Sequence, residues 1–167
     1  MQQRMLEISA VVFEDGTSEG WQPHIDSILF SRSGRILETG RIKNVLASIN
    51  ARFAGDSDVK ILVEQMGRLP ESADFALDEL TAEAAGLSMS NLQPRGTVAR
   101  GAFLSGVRSA REKMLWELDR LRKLPPTSAD PSVLTQAGLL FHLRQQYDEK
   151  AIRYRAFLKR ARGGKEE

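Results

Sequence analysis

The chain has no cysteine among its 167 residues. That excludes disulfides, thiol nucleophiles, iron–sulfur clusters and the usual structural zinc sites. Histidine is scarce, and neither His24 nor His142 belongs to a metal-ligand spacing. No glycine-rich phosphate loop follows a strand, and no serine nucleophile elbow occurs. "DGTSEG" (15–20) lacks the ligand count of a calcium loop. Glu79 and Glu83 stand one helical turn apart, a routine spacing that needs burial before it can serve acid–base chemistry. Long apolar runs are missing too, so nothing reaches the ~20 residues of a membrane span. The start, "MQQRMLEISAVVFEDG", is broken by Glu7 and Glu14 before it can form a signal core. These absences point to a soluble cytoplasmic protein that is not an enzyme and carries no cofactor and no metal.

What is present is ordinary for a folded chain: 41% apolar and 28% charged residues, in a length that suits one domain over 1–167. Net charge is only +2, but from Arg108 onward fourteen Lys/Arg face eight Asp/Glu, while the earlier part is acidic. Such asymmetry can orient an acidic partner or a second copy, yet it falls short of a committed nucleic-acid binder.

"LEISAVVF" (6–13) alternates as a strand does, with Leu6, Ile8, Ala10 and Val12 on one face and Glu7, Ser9, Val11 and Phe13 on the other. "EDGT" (14–17) is a hairpin turn, and "SEGWQ" makes a short return arm. The resulting ribbon over 1–22 is marginal alone and must lie on helices, extend, or pair with another copy. From Pro23 the pattern turns helical, with Ile25, Leu29, Ile36, Ile42, Leu46, Ile49 and Phe53 recurring through residue 53. Gly34 and Gly40 stand against that helix, each costing about 1 kcal/mol inside one. A hairpin over 27–38 is the competing reading; helix is preferred.

The remaining segments are cleaner. Ser57 caps a helix over 57–67 with Val59, Leu62, Val63 and Met66 on one face and Gly67 at its end. A similar unit spans 72–86. A long helix over 97–124 carries a seam of Leu104, Val107, Met114, Leu118 and Leu121, into which Arg111 intrudes. Asp130 as N-cap and Pro131 open a second long helix over 130–162, striped by Leu140, Leu143, Tyr147, Ala151, Tyr154, Leu158 and Ala161. The short connection "PPTSAD" predicts an antiparallel pair. Residues 163–167 form a frayed tail. The expected fold is mainly α: a helical bundle with a long antiparallel helix pair, helical over 23–124 and 130–162, and a small N-terminal β-ribbon. Helices of this length would outrun the shorter ones, leaving part of both stripes for a second subunit.

Three surfaces merit weighing. "LTAEAAGLSMSNL" (80–92) matches part of a helix-turn-helix pattern through Ala82, Gly86 and Ser88, but Pro94 cuts the second helix short and no cation precedes Arg95. "KAIRYRAFLKRARGGK" (150–165) holds seven Lys/Arg and no acid, including Arg153, Arg155, Lys159 and Arg160. Its Tyr154 and Phe157 suit the core better than a base-stacking platform. Trp116 sits nearly opposite the Leu104–Leu121 seam, and Phe141 and Ile152 stand similarly off the stripe of the last helix. Either the ribbon or helix 23–53 covers Trp116, or it marks a contact surface. The partner-binding residues are thus Trp116, Phe141, Ile152, Arg153, Arg155, Lys159 and Arg160. The leading expectation is a non-catalytic interaction module that self-associates as a homodimer, its ribbon edge or helical faces open to a protein partner. The alternative is a nucleic-acid-associated regulator using the basic end or 80–92; no membrane role is expected.

Overall fold

The computed structural model describes residues 8–14, 17–48, 56–69, 97–126 and 128–161. Two strands and four helices lie among them: β1 (Ala10–Val12), β2 (Ser18–Gly20), α1 (Gln22–Ser48), α2 (Asp56–Gly67), α3 (Thr97–Arg122) and α4 (Gln136–Ala161). The chain is mainly helical with a small antiparallel ribbon at its N-terminal end, the predicted class. None of these helices is long and apolar enough to cross a membrane.

The strand finds its partner in its own return arm. Ala10 faces Gly20, Val11 faces Glu19 and Val12 faces Ser18, and the ladder continues through Phe13 N–H to the Thr17 carbonyl (2.9 Å) and Trp21 N–H to Ser9 (2.8 Å). Val12 is buried and Ala10 half-buried toward α1, while Val11 and Phe13 face outward. Ile8, predicted to share the inner face, is instead exposed, since it precedes the paired residues. Gly20 has φ +119°, which a side chain rarely adopts, and a Cβ there would strike the Ser9 carbonyl. Arg32 of α1 donates to the Val12 and Phe13 carbonyls, and Ser9 Oγ lies 2.7 Å from His24 Nδ1. The ribbon is thereby fastened to the first turns of α1.

α1 runs unbroken through 27–38, so the hairpin reading is excluded. Gly34 is the reason the helix tolerates its intrinsic cost. A Cβ on Gly34 would run into the Phe103 carbonyl, and one on Gly106 of α3 into the Ser31 carbonyl. The two glycines let the backbones of α1 and α3 touch, and these helices pack extensively. Two apolar clusters flank that crossing. One joins Val12, Ile25 and Phe30 to Phe103, Val107 and Phe157. The other joins Ile42 and Leu46 to Val59, Leu62 and Met66 of α2, to Met114, Leu118 and Leu121 of α3, and to Leu140, Leu143 and Tyr147 of α4. Early α4 therefore meets late α3, and late α4 meets early α3, which makes that pair antiparallel, whereas α1 and α3 run parallel.

Two boundaries differ from expectation. α2 begins at Asp56, so Ser57 lies inside the helix instead of capping it. α4 begins at Gln136, not at Asp130. Asp130 uses its side chain locally, accepting from Ser132 N–H (2.9 Å) and lying 2.7 Å from Ser132 Oγ, which closes a turn. Those bonds hold its carboxyl below the usual range. Thr135 is the cap that wins: its hydroxyl accepts from Gly138 N–H (3.2 Å), three residues on. The predicted helix 72–86 and the segment 80–92 lie outside the described residues, as do 49–53.

Among the described residues, most of the expected surplus of apolar stripe is covered within one chain. Val107, Met114, Leu118, Leu121, Leu140, Leu143 and Tyr147 are all buried. α1 supplies the cover that the sequence reading reserved for a second subunit.

Candidate functional site

Where α4 lies along α1, the two helices leave a groove, held open by polar contacts at one end. Lys43 Nζ meets Asp148 Oδ1 at 2.9 Å across it. Arg144 donates from Nε to the Leu46 carbonyl (3.0 Å) and from Nη2 to that of Ala47 (3.4 Å), satisfying the free carbonyls of the last turn of α1. The resulting cavity of about 470 Å³ is lined in part by Phe141, Gln145 and Ile152. Phe141 and Ile152 are 70% and 64% exposed, large apolar side chains left in water on a well-packed helix.

Beyond Ile152 the groove becomes basic. A second cavity, of about 480 Å³, brings Arg32 and Arg35 of α1 to Lys150 and Arg153 of α4, with Glu14 the one carboxylate among its described lining residues. Its apolar wall includes Ile36, Tyr154 and Phe157. The Arg32 guanidinium lies 5.3 Å from the Phe157 ring centroid, and Lys150 Nζ lies 4.5 Å from that of Tyr147. Burial lowers the pKa of Arg32, with Glu14 opposing and Arg35 adding to the shift. Burial likewise lowers Lys150, and the nearby Lys113 pushes the same way. Tyr147 is moved upward to about 12, chiefly by burial and then by the negative charge of Glu117.

The sequence-predicted residues fall into three groups. Phe141, Ile152 and Arg153 gather along this groove. Trp116 stands apart on the outward face of α3 and is 63% exposed, so neither the ribbon nor α1 covers it. Arg155, Lys159 and Arg160 belong to α4 by backbone, and their side chains lie outside the described set. Tyr154 is half-buried and Phe157 buried, as core residues should be. Sequence reasoning missed Arg32, Arg35 and Lys150 as members of one cluster, because the register between α1 and α4 is not encoded in either helix alone. Arg111 was conspicuous as an intruder in the α3 seam. Its partner is the fully buried Glu38, whose Oε1 accepts from Arg111 Nε at 2.7 Å, with Arg41 Nη1 3.7 Å from Oε2.

Among the described residues, no cluster of three or more His, Cys, Asp or Glu side chains is placed to hold a metal ion. The arrangement offers apolar contact and positive charge side by side. Comparison of the chain with family models, with curated proteins and with solved structures gives no match.

Proposed function

We propose that the protein is a non-catalytic interaction module of the cytoplasm that self-associates through apolar side chains on the outer faces of its long helices. One observation carries this reading: Trp116, Phe141 and Ile152 are each about two-thirds exposed although the seams beside them are closed. Large aromatic and branched side chains fixed on rigid helices lose little freedom on binding and supply most of the contact energy at interfaces. The ribbon is a less favoured connector, because β1 is already paired with β2 and Arg32 occupies the outer Val12 carbonyl.

Sedimentation velocity over a micromolar to millimolar range tests the proposal. A concentration-dependent dimer is expected for the wild-type chain, shifted toward monomer by Phe141→Ala with Ile152→Ala. A monomer throughout that range would overturn it.

A nucleic-acid-associated role is the second reading, favoured by the approach of Arg153 to Arg32 and Arg35. Phosphate contacts release counterions, so binding to a duplex or single strand should fall steeply with salt and weaken when Arg153 is neutralised. Salt-independent or absent binding would dismiss it.

A further inference from the structure

The basic cavity gathers four cations of two helices around one carboxylate among its described lining residues. Among the described residues, Lys43, Arg68, Arg111 and Lys123 each meet a carboxylate. Arg35, Lys150 and Arg153 form no such ion pair there, yet all three line one cavity with Arg32. Two of the four cations, Arg32 and Lys150, are partly stripped of water by the surrounding helices. Glu14 offsets that loss only in part for Arg32 and Glu117 only in part for Lys150, which leaves attraction for a further anion. The floor of the same cavity is apolar, formed by Ile36, Ile152 and Phe157 with Ala156 beside them. Its volume of about 480 Å³ lies within the range of small-molecule sites, which pair an apolar lining with a few placed charges.

We propose that this cavity binds a small amphiphilic anion, an apolar body carrying one carboxylate or phosphate group. The apolar body lies against Ile36, Ile152 and Phe157, and the head group is held by Arg35, Lys150 and Arg153. Arg32 is committed by its hydrogen bonds to the ribbon, so it adds field more than direct contact. A nucleic-acid backbone fits less well, because its charges follow an extended track and its affinity gains little from an apolar wall. This inference goes beyond the self-association reading, with which it shares Ile152.

Calorimetric titration of the full chain with dodecanoate, dodecyl phosphate and dodecyltrimethylammonium, each kept below its micelle concentration, tests the site. Both anions are expected to saturate at one per chain, and the cation is not expected to bind. Arg35→Gln with Arg153→Gln should weaken both anions about tenfold or more, read directly as a change in Kd. Both residues are exposed, so circular dichroism should show the fold intact. Ala156→Trp, which fills the cavity, should abolish uptake, and Lys123→Gln, remote from it, should not. Equal binding of the cation, or unchanged affinity in the double variant, would overturn the proposal. So would uptake seen only on phosphatidylglycerol vesicles, or a clear preference for an oligonucleotide or an acidic peptide over both free anions.

Discussion

Glu38 brings a carboxylate to a place from which water is excluded, between the two apolar clusters, and Arg111 meets it there. Removing both charges from water costs several kcal/mol per ion, so such a pair adds little net stability and is severe to break. Arg111→Met leaves the buried Glu38 carboxylate only its longer contact to Arg41, and Glu38→Leu takes the carboxylate from the Arg111 guanidinium; each is expected to cost about 3–5 kcal/mol. The double replacement should return most of that loss, because it removes both charges of the closest contact together. Urea unfolding of the four proteins measures the coupling, and simple additivity would show that the two side chains do not depend on one another. Tyr147 gives a second test at this scale. Its pKa is raised in the folded chain to about 12 from an ordinary 10. The unfolded chain then loses its proton first as pH rises, so the Tyr147 contribution is complete below pH 10 and is lost between there and about pH 12. Melting temperatures across that window should fall less steeply for Tyr147→Phe than for the wild type; parallel slopes would contradict the burial assigned to this hydroxyl.

At the level of elements, two glycines on one helix have opposite meanings. Gly106 and its counterpart Gly34 stand where the backbones of α1 and α3 touch, and an added methyl would meet main-chain oxygen. Gly106→Ala is expected to cost about 1–3 kcal/mol, since only a shift of the whole helix relieves the overlap. Gly40, six residues beyond Gly34, would place a Cβ in open space. Gly40→Ala should therefore stabilise by about 0.5–1 kcal/mol through reduced freedom of the unfolded chain. Thermal melts of the two variants should move in opposite directions; shifts of the same sign would refute the crossing. This is also where the sequence was hardest to read. Hydrophobic period disclosed α1, α2, α3 and the body of α4, because it is a local property of consecutive residues. Gly34 looked like a flaw in a helix, since its justification is a backbone carbonyl some seventy positions away on α3. Asp130 looked like a cap because Pro131 follows it, but its bonds to Ser132 favoured a turn, and Thr135 took the role. The pairing of Arg111 with Glu38 and the gathering of Arg35 with Arg153 depend on which helix lies beside which.

For the molecule as a whole, the placement of its exposed apolar residues decides how copies can meet. Phe141 and Ile152 line one cavity on the α1–α4 side, eleven residues apart on α4, or roughly 16 Å along the helix axis. Trp116 projects from the face of α3 opposite its buried seam, among Glu112, Asp119 and Lys123. A twofold dimer uses the same patch on both partners and then closes, so one of these two surfaces suffices for it. The groove is the better candidate, because its two anchors flank partnered charges, Lys43 with Asp148, that fix register without adding a net field. Phe141→Ala with Ile152→Ala should therefore yield monomers, while Trp116→Ala leaves the dimer intact and removes only a further contact. Sedimentation of the wild type and these variants in low and high salt checks both points. Association through the groove should change little with salt, since apolar burial drives it and the nearby charges are already paired. If Trp116→Ala dissolves the dimer and the groove variant does not, the assignment of the two faces is reversed. If each substitution alone yields monomers, both surfaces lie within a single larger interface.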